Sequence, residues 1–109
     1  MAVNKHARLE AAFNRFEVHE SGAAVSNRGN GKLKRIHVSD RGKRYLRFYV
    51  GNEQVAIGLA DLVIRQNCGR YNCDYLHAYH INEDHSDNRI ENLFLKPVLK
   101  YKGQRNDQN

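Results

Sequence analysis

The chain is 109 residues long, with a net charge of +6 and a sequence pI near 9.6. Its 40% hydrophobic and 28% charged residues exclude a wholly disordered protein and predict one soluble domain, 1–109, too short for two independent cores. We find no apolar run long enough for a membrane span and no signal-peptide segment after Met1, so we predict a cytoplasmic protein without a membrane partner. The positive charge favours a polyanionic partner such as nucleic acid, because Lys and Arg release counterions from phosphates.

The first predicted element is an amphipathic helix over residues 5–16, within an N-terminal segment spanning 1–20. Apolar residues recur there at helical spacing, with most basic residues opposite: Leu9, Ala12, Phe13 and Phe16. This pattern predicts a helix whose apolar face packs on the rest of the domain. Direct contact of the helix with a partner or with DNA is the alternative.

Residues 21–57 alternate short β-prone runs with Gly, Asn and Asp, which predicts a small antiparallel β meander. The meander is strongly basic and contains the acid Asp40 among many cations. We predict that these cations contact nucleic-acid phosphates: Arg28, Lys32, Lys34, Arg35, Arg41, Lys43, Arg44 and Arg47.

Aromatic residues are interleaved with these cations. In a strand, Tyr45 and Tyr49 share one face, and Phe48 lies on the other face with Leu46 and Val50. Outward-facing rings would offer a stacking surface for bases. We predict instead that one of the two aromatic faces serves the core.

A second short helix is predicted over residues 58–67, where Leu59, Leu62 and Val63 share one face with Gln66. Its apolar side is expected to face the core. The helix ends before Cys68.

The two cysteines, Cys68 and Cys73, precede His77 and His80 in the chain. We predict reduced, structural thiols, because a cytoplasmic compartment disfavours a disulfide. The alternative is a zinc site made of the ligand types that a tetrahedral zinc ion takes: Cys68, Cys73, His77 and His80. Their spacing is not that of a common zinc finger.

The densest pattern in the chain runs from Ala78 to Leu95, with the sequence AYHINEDHSDNRIENLFL. A histidine ends a short apolar run, a polar loop follows, and Asn-Arg-Ile-Glu-Asn-Leu leads back to apolar residues. This stretch resembles the HNH endonucleases (ββα-metal or His-Me finger) of the phage and intron homing type, whose signature is close to D-H-I-N-G-D-x-x-D-N-R-x-E-N-L. The match is dense from His80 to Leu93 and extends weakly back to Gly22.

The resemblance implies catalytic roles for three residues of this stretch. His80 would end the first strand of the ββα unit and act as general base on the water that attacks a phosphodiester, since neutral imidazole accepts a proton near neutral pH. Asn92 would hold the imidazole in orientation. Asn88 would tie the intervening loop together.

The resemblance also implies a divalent cation, magnesium or manganese, which would offset negative charge developing on the scissile phosphate. The family holds its metal with an Asp or His just before the base and an Asn or His in the helix after the second strand, but this chain has Tyr79 and Tyr101 there. A phenol is a poor ligand for a hard cation. Candidate replacement ligands lie in the loop and the tail: Asp84, His85, Asp87 and Asn106.

The predicted fold class is α+β, a small antiparallel meander followed by a short helix, an HNH-like ββα unit over 75–103 and a frayed tail over 104–109. Two functions compete. One is an HNH-type nuclease that nicks or cuts DNA through His80, and the other is a cleavage-deficient HNH-derived module that binds DNA, or inhibits or regulates a protein partner. The resemblance implies a phage origin, and hence the host cytoplasm. A basic domain associated with ribosomes or a polymerase is a third possibility, which the length of the motif disfavours.

Overall fold

Two helices and three small antiparallel sheets form the part of the chain that the computed structural model describes, residues 3–97. Helix α1 spans Lys5–Arg15 and helix α2 spans Leu59–Cys68. The strands are β1 Phe16–Val18, β2 Val25–Asn27, β3 Leu33–Lys34, β4 His37–Val38, β5 Arg44–Val50, β6 Glu53–Gly58, β7 Leu76–His80 and β8 Leu93–Pro97, with a 3₁₀ turn over Ile90–Asn92 before β8. The predicted α+β class is confirmed.

Asn4 is the N-cap of helix α1. Its Oδ1 accepts a hydrogen bond from the Ala7 backbone amide at 2.8 Å and so satisfies a free N–H group of the first turn. Its buried face includes Leu9. The helix ends one residue earlier than predicted, because Phe16 takes extended backbone angles and begins β1. The Phe16 ring packs edge-on against Phe48, with 5.5 Å between centroids, so burial in the core accounts for its place in the strand.

Strand β1 also lies within the segment 1–20, where the sequence predicts only a helix. Its residues alternate, with Phe16 and Val18 buried and Glu17 exposed. Only a strand places both apolar side chains on the core face at this spacing.

The predicted meander is two separate sheets. Strands β1, β2 and β3 form one three-stranded antiparallel sheet, and β4, β5 and β6 form a second. The chain leaves the first sheet between Lys34 and His37, where Ile36 packs against the core. Because the Ile36 side chain turns toward the core, the chain does not continue from β3 to β4 within one sheet.

The longest hairpin joins β5 to β6 through a two-residue turn, Gly51 and Asn52. Gly51 has a φ of 61°, in the left-handed region that tight hairpin turns require and that glycine adopts without steric cost. The turn fixes the register along the whole hairpin, from Val50 opposite Glu53 to Tyr45 opposite Gly58.

The two faces of β5 separate its aromatic residues. Phe48 is 6% exposed and lies in the core with Leu46, whereas Tyr45 and Tyr49 lie on the opposite face. Tyr49 is 57% exposed. The prediction that one aromatic face serves the core is confirmed, because the period of a strand lets only one face pack inward and that face carries Phe48.

Helix α2 is the central element of the core. It packs against α1, β1, the β5–β6 hairpin and the ribbon formed by β7 and β8. Its residues Leu59, Leu62, Val63 and Ile64 are all buried. The helix therefore links the two sheets to the stretch that carries the predicted site.

An ion pair joins α2 to α1. Arg65 donates from Nε and Nη2 to the two carboxylate oxygens of Glu10, at 2.6 and 3.0 Å. The guanidinium also lies 3.8 Å from the centre of the Phe13 ring. Hydrogen bonding to Arg65 lowers the pKa of the Glu10 carboxyl, and the same bond raises the pKa of Arg65.

The helix that the resemblance places after β8 and the tail over 104–109 fall outside the described residues. Within residues 3–97, neither helix has the length and apolar character needed to cross a membrane.

Candidate active site

The candidate site lies at one end of the ribbon formed by β7 and β8. The strands pair from Leu76 opposite Pro97 to His80 opposite Leu93. Residues 81–89, which we call the site loop, and the 3₁₀ turn join them. His80 is the last residue of β7, which confirms the prediction that it ends a strand.

Asn88 holds the His80 ring. The Asn88 Nδ2 donates to the carbonyl of His85 at 3.3 Å, and its Oδ1 lies 2.8 Å from His80 Nε2. Because an amide oxygen can only accept, Nε2 carries the proton of the neutral ring and Nδ1 keeps its lone pair. Asn88 is 2% exposed, so water does not compete for this hydrogen bond. The ring is held in the tautomer that can accept a proton at Nδ1.

Asn92 does not make this contact, so the prediction that it holds the imidazole is wrong. Its Nδ2 donates to Asn82 Oδ1 at 3.0 Å and to the Asp87 carbonyl at 2.8 Å, and its Oδ1 accepts from the Asn82 amide at 3.2 Å. Its carbonyl accepts from the Ile81 amide at 2.8 Å. Because these hydrogen bonds use the polar atoms of the Asn92 side chain, Asn92 stabilises the site loop. Asn88 orients the His80 ring.

The two aspartates predicted as replacement metal ligands are engaged within the site loop. Asp84 accepts from the amide and hydroxyl of Ser86 at 2.9 and 2.6 Å. Asp87 accepts from Nε and Nη2 of Arg89 at 2.8 and 2.9 Å, and from Asn82 at 3.1 Å. Hydrogen bonding from Ser86 lowers the pKa of Asp84, and hydrogen bonding from Arg89 lowers the pKa of Asp87. Both carboxylates are charged at neutral pH and serve to shape the loop.

His85, the third predicted ligand of the loop, packs against the candidate base. Its ring meets the His80 ring edge-on, with 5.1 Å between centroids. Its Nδ1 is buried and has no hydrogen-bond partner within residues 3–97. Its carbonyl anchors the side chain of Asn88, so His85 supports the geometry of His80.

Tyr79, which stands where the family pattern has a metal ligand, lies beneath an ammonium group. It pairs with Phe94 across the ribbon, with ring centroids 5.8 Å apart, and the Lys96 Nζ is 5.0 Å from the centre of the Tyr79 ring. Within residues 3–97, no three His, Cys, Asp or Glu side chains come close enough together to hold one metal ion. Tyr79 therefore does not supply a ligand for a divalent cation, and the described residues contain no cluster of three such side chains. Tyr101 and Asn106 lie outside them.

The alternative zinc site is also wrong, because its four residues do not meet. Cys68 is exposed at the end of α2, whereas Cys73 is buried with its Sγ 4.0 Å from Nδ1 of His6. Burial raises the pKa of the Cys73 thiol, which keeps it protonated at neutral pH. Both thiols are free, in agreement with the first prediction.

A cleft of about 670 Å³ opens beside His80. Its walls come from the start of α1, the β4–β5 hairpin, the junction of β6 with α2, and the ribbon with its site loop. Lys5, Lys43 and Arg44 contribute positive charge to the same cleft. The fold thus brings cations distant in sequence into one space with the candidate base.

Two acids also line this cleft. Asp61 is buried and paired, since Lys5 Nζ lies 3.5 Å from its carboxylate and the Tyr71 hydroxyl donates to it at 2.9 Å. Burial raises the pKa of Tyr71, so this hydroxyl stays protonated. Glu83 is exposed and has a φ of 63°, in the left-handed region, at the position where the family signature has glycine. A non-glycine residue in that conformation carries a strain of about 1 kcal/mol.

The basic residues of the meander divide into two groups. Arg28 and Lys34 lie against aromatic rings, at 5.0 Å from the Phe13 centroid and 5.4 Å from the Phe16 centroid. The other six are exposed or line the cleft: Lys32, Arg35, Arg41, Lys43, Arg44 and Arg47. Arg47 also lies near a ring, that of Tyr45, and Arg28 is exposed, so contact of all eight cations with phosphates stays a prediction.

Gly22, which sequence reasoning missed, supports the backbone of Asn88. It is buried in the turn between β1 and β2, with a φ of 73°. A Cβ on Gly22 would lie 2.2 Å from the Asn88 carbonyl oxygen, which is too close for any side chain. Glycine is one of several turn residues in this segment, and no local pattern marks its contact with the site loop.

Comparison with known proteins shows an HNH-like fold. The chain is similar to a solved structure described as "DNA binding and cleavage by the HNH homing endonuclease I-HmuI", with a TM-score of 0.62 and 18% sequence identity over 86% of this chain. The match covers 52% of that chain, so the protein spans about half the length of the structure it resembles. No family model matches the sequence, and no curated protein matches it.

Proposed function

We propose that the protein binds DNA and hydrolyses phosphodiester bonds with His80 as general base. The observation that carries the proposal is the 2.8 Å hydrogen bond between His80 Nε2 and Asn88, which leaves Nδ1 to accept a proton. The HNH-like fold and the net charge of +6 support DNA as the partner.

In the proposed reaction, His80 Nδ1 removes a proton from water as the water oxygen attacks phosphorus. The hydrogen bond to Asn88 strengthens as the ring becomes an imidazolium, because a charged donor bonds more strongly. Lys43 and Arg44 contact the non-bridging oxygens and stabilise the negative charge that develops on them. The bond to the leaving oxygen then breaks, and that oxygen takes a proton from solvent.

Dependence on magnesium or manganese, which the resemblance implies, stays a prediction. The described residues contain no cluster of three His, Cys, Asp or Glu side chains, and the proposed reaction passes through no metal. Further ligands would have to come from residues 98–109, which include Tyr101 and Asn106.

The second candidate function is that of a cleavage-deficient module. Such a module would bind DNA, or it would inhibit or regulate a protein partner. The surroundings of Tyr79 favour it, because an ammonium group of Lys96 lies over the ring where the family has a metal ligand. The basic cleft would then bind phosphate without completing hydrolysis.

A plasmid-nicking assay separates the two functions. We expect supercoiled DNA to be nicked with magnesium or manganese, and a reaction in EDTA tests the dependence on the metal. His80→Ala should slow nicking by at least about 100-fold, the usual contribution of a general base. DNA affinity should change little, because the cations that bind phosphate are separate from His80. The control is His19→Ala, which removes an exposed histidine bonded to Ser26 outside the site.

Binding without nicking under all three conditions would contradict hydrolysis and support the second function. In that case, the double substitution Tyr79→Asp and Tyr101→Asn tests whether only the metal ligands are missing. Nicking that returns with magnesium and disappears with His80→Ala would show that the rest of the site is competent.

A further inference from the structure

The outward face of β5 carries three side chains that the proposed reaction does not use: Tyr45, Arg47 and Tyr49, which we call the aromatic row. Alternate residues of a strand share a face, so the two tyrosines lie about 13 Å apart with the arginine between them. Arg47 Cζ is 5.7 Å from the centre of the Tyr45 ring. The row thus alternates ring, cation and ring along the strand.

The neighbouring strands leave the row open. On β6, Gly58 pairs with Tyr45 and Ala56 pairs with Arg47, so these cross-strand side chains are a hydrogen atom and a methyl group. Gln54 pairs with Tyr49, which is still 57% exposed. On β4, His37 lies nearly flat against the Tyr45 ring, at 5.3 Å between centroids and 22° between planes. His37 therefore stacks on one face of the Tyr45 ring, and this stack continues the aromatic side chains of β5 onto β4.

The His37 ring is neutral at neutral pH although it lies on the surface. Loss of hydration lowers the pKa of His37, and the nearby charges of Arg35 and Arg47 lower it further. An uncharged ring stacked on Tyr45 extends the stacking surface, and the arginines beside it supply positive charge.

The aromatic row leads into the cleft beside His80. Tyr45 lines both the outward face and the cleft, together with Lys43 and Arg44. A nucleic-acid strand lying along β5 from Tyr49 toward Tyr45 would therefore reach the candidate base through these cations.

We propose that this face binds single-stranded DNA, with bases stacked on Tyr45 and Tyr49 and phosphates against Arg47 and the cleft cations. This inference rests on the proposed function, since it names unpaired DNA as the form presented to His80. Cations serve a duplex and a single strand equally, because both expose phosphates. Exposed rings distinguish the two, since only unpaired bases leave their faces free for stacking.

Fluorescence anisotropy with a short labelled oligothymidylate tests the proposal, beside a duplex and an RNA strand of matched length. We expect the single DNA strand to bind tightest and Tyr49→Ala to weaken its binding about tenfold, a typical loss for one stacked base. Tyr49→Phe should keep the affinity, because it keeps the ring. Tyr75→Ala is the matched control, since Tyr75 is also 57% exposed but lies outside this sheet.

Equal or tighter binding of the duplex would overturn the inference, and so would unchanged affinity in Tyr49→Ala. Tighter binding of the RNA strand would overturn the choice of DNA. The His80→Ala protein separates the two proposals, because it should bind the single strand normally. Ring-dependent binding without cleavage of the plasmid or of the single strand supports this inference and contradicts only the hydrolysis, whereas cleavage without ring-dependent binding contradicts only this inference.

Discussion

At the scale of single residues, the orientation of His80 depends on the backbone that carries Asn88. That backbone rests on Gly22, whose missing side chain lets the β1–β2 turn approach the site loop. A glycine far from the motif in sequence thus helps to hold the tautomer of the candidate base. Its effect on His80 acts entirely through the position of Asn88.

We expect Gly22→Ala to destabilise the protein by about 2–4 kcal/mol, because the new Cβ would displace the Asn88 carbonyl. Gly31→Ala is the matched control: its φ of 74° imposes the same backbone strain of about 1 kcal/mol, but nothing lies within 4 Å of the new Cβ. Urea unfolding of both variants measures the difference. Equal losses of stability would show that the turn does not support the site loop.

At the scale of elements, the contact between α1 and α2 combines apolar packing with the ion pair of Glu10 and Arg65. The Arg65 side chain is 9% exposed and that of Glu10 is 23% exposed, so the pair is largely shielded from water. Removing the carboxylate would leave a charge with poor hydration between the helices. The pair therefore fixes how the first helix sits on the central one.

We expect Glu10→Gln to lower the free energy of unfolding by about 1–3 kcal/mol at neutral pH. Because folding lowers the pKa of Glu10, its contribution is present above the ordinary value of 4.5 and is lost as pH falls through the lower folded value. The difference between wild type and variant should therefore shrink as acid is added. Chemical unfolding across this pH range checks it, with the exposed Glu17→Gln as control.

A constant difference down to acidic pH would contradict the ion pair as the source of stability. Loss of stability in Glu17→Gln of the same size would point to the net charge of the protein instead.

At the scale of the whole molecule, the net charge of +6 is concentrated in the meander, residues 21–57, where Lys and Arg far outnumber Asp and Glu. Arg41, Lys43, Arg44 and Arg47 belong to the β4–β5 hairpin, and Lys43 and Arg44 also line the cleft. Arg44 and Arg47 both lie on β5. Arg28 and Lys34 differ, because each lies against an aromatic ring of the core region.

We expect the double substitution Arg44→Ala and Arg47→Ala to weaken binding on most DNA sequences alike and to reduce the slope of log affinity against log salt by about 2. The matched control is Arg28→Ala with Lys34→Ala, which removes the same charge from the cations engaged in packing. Affinity titrations at several salt concentrations measure both slopes. Binding that does not vary with salt, or no binding at low salt, would move the function to a protein partner.

Much of the architecture can be predicted from local sequence patterns. The spacing of Leu9 and Ala12 marks the first helix, the turn residues around Gly51 mark a hairpin, and the motif places His80 at the end of a strand. Each of these signals acts over a few residues, where backbone geometry alone determines which side chains share a face.

The side-chain contacts of the candidate site cannot be predicted from such local patterns. Asn88 and Asn92 belong to one motif, and the sequence shows two amides without showing which of them reaches the His80 ring. The hydrogen bonds of the loop decide that, because Asn92 is committed to Asn82 and Asp87. The same limit applies to any side chain whose role depends on its partner.

The sequence by itself determined the basic charge, the α+β class, the helical and strand periods and the position of His80 at a strand end. Only the tertiary structure decided that two sheets replace one meander, that Cys68 and Cys73 face different surroundings, that Tyr45 and Tyr49 face outward, and that Gly22 supports Asn88. The physical reason is that periodicity and turn chemistry are properties of neighbours in the chain. Contacts between distant segments depend on how all the apolar faces are buried together around α2, which no short pattern contains.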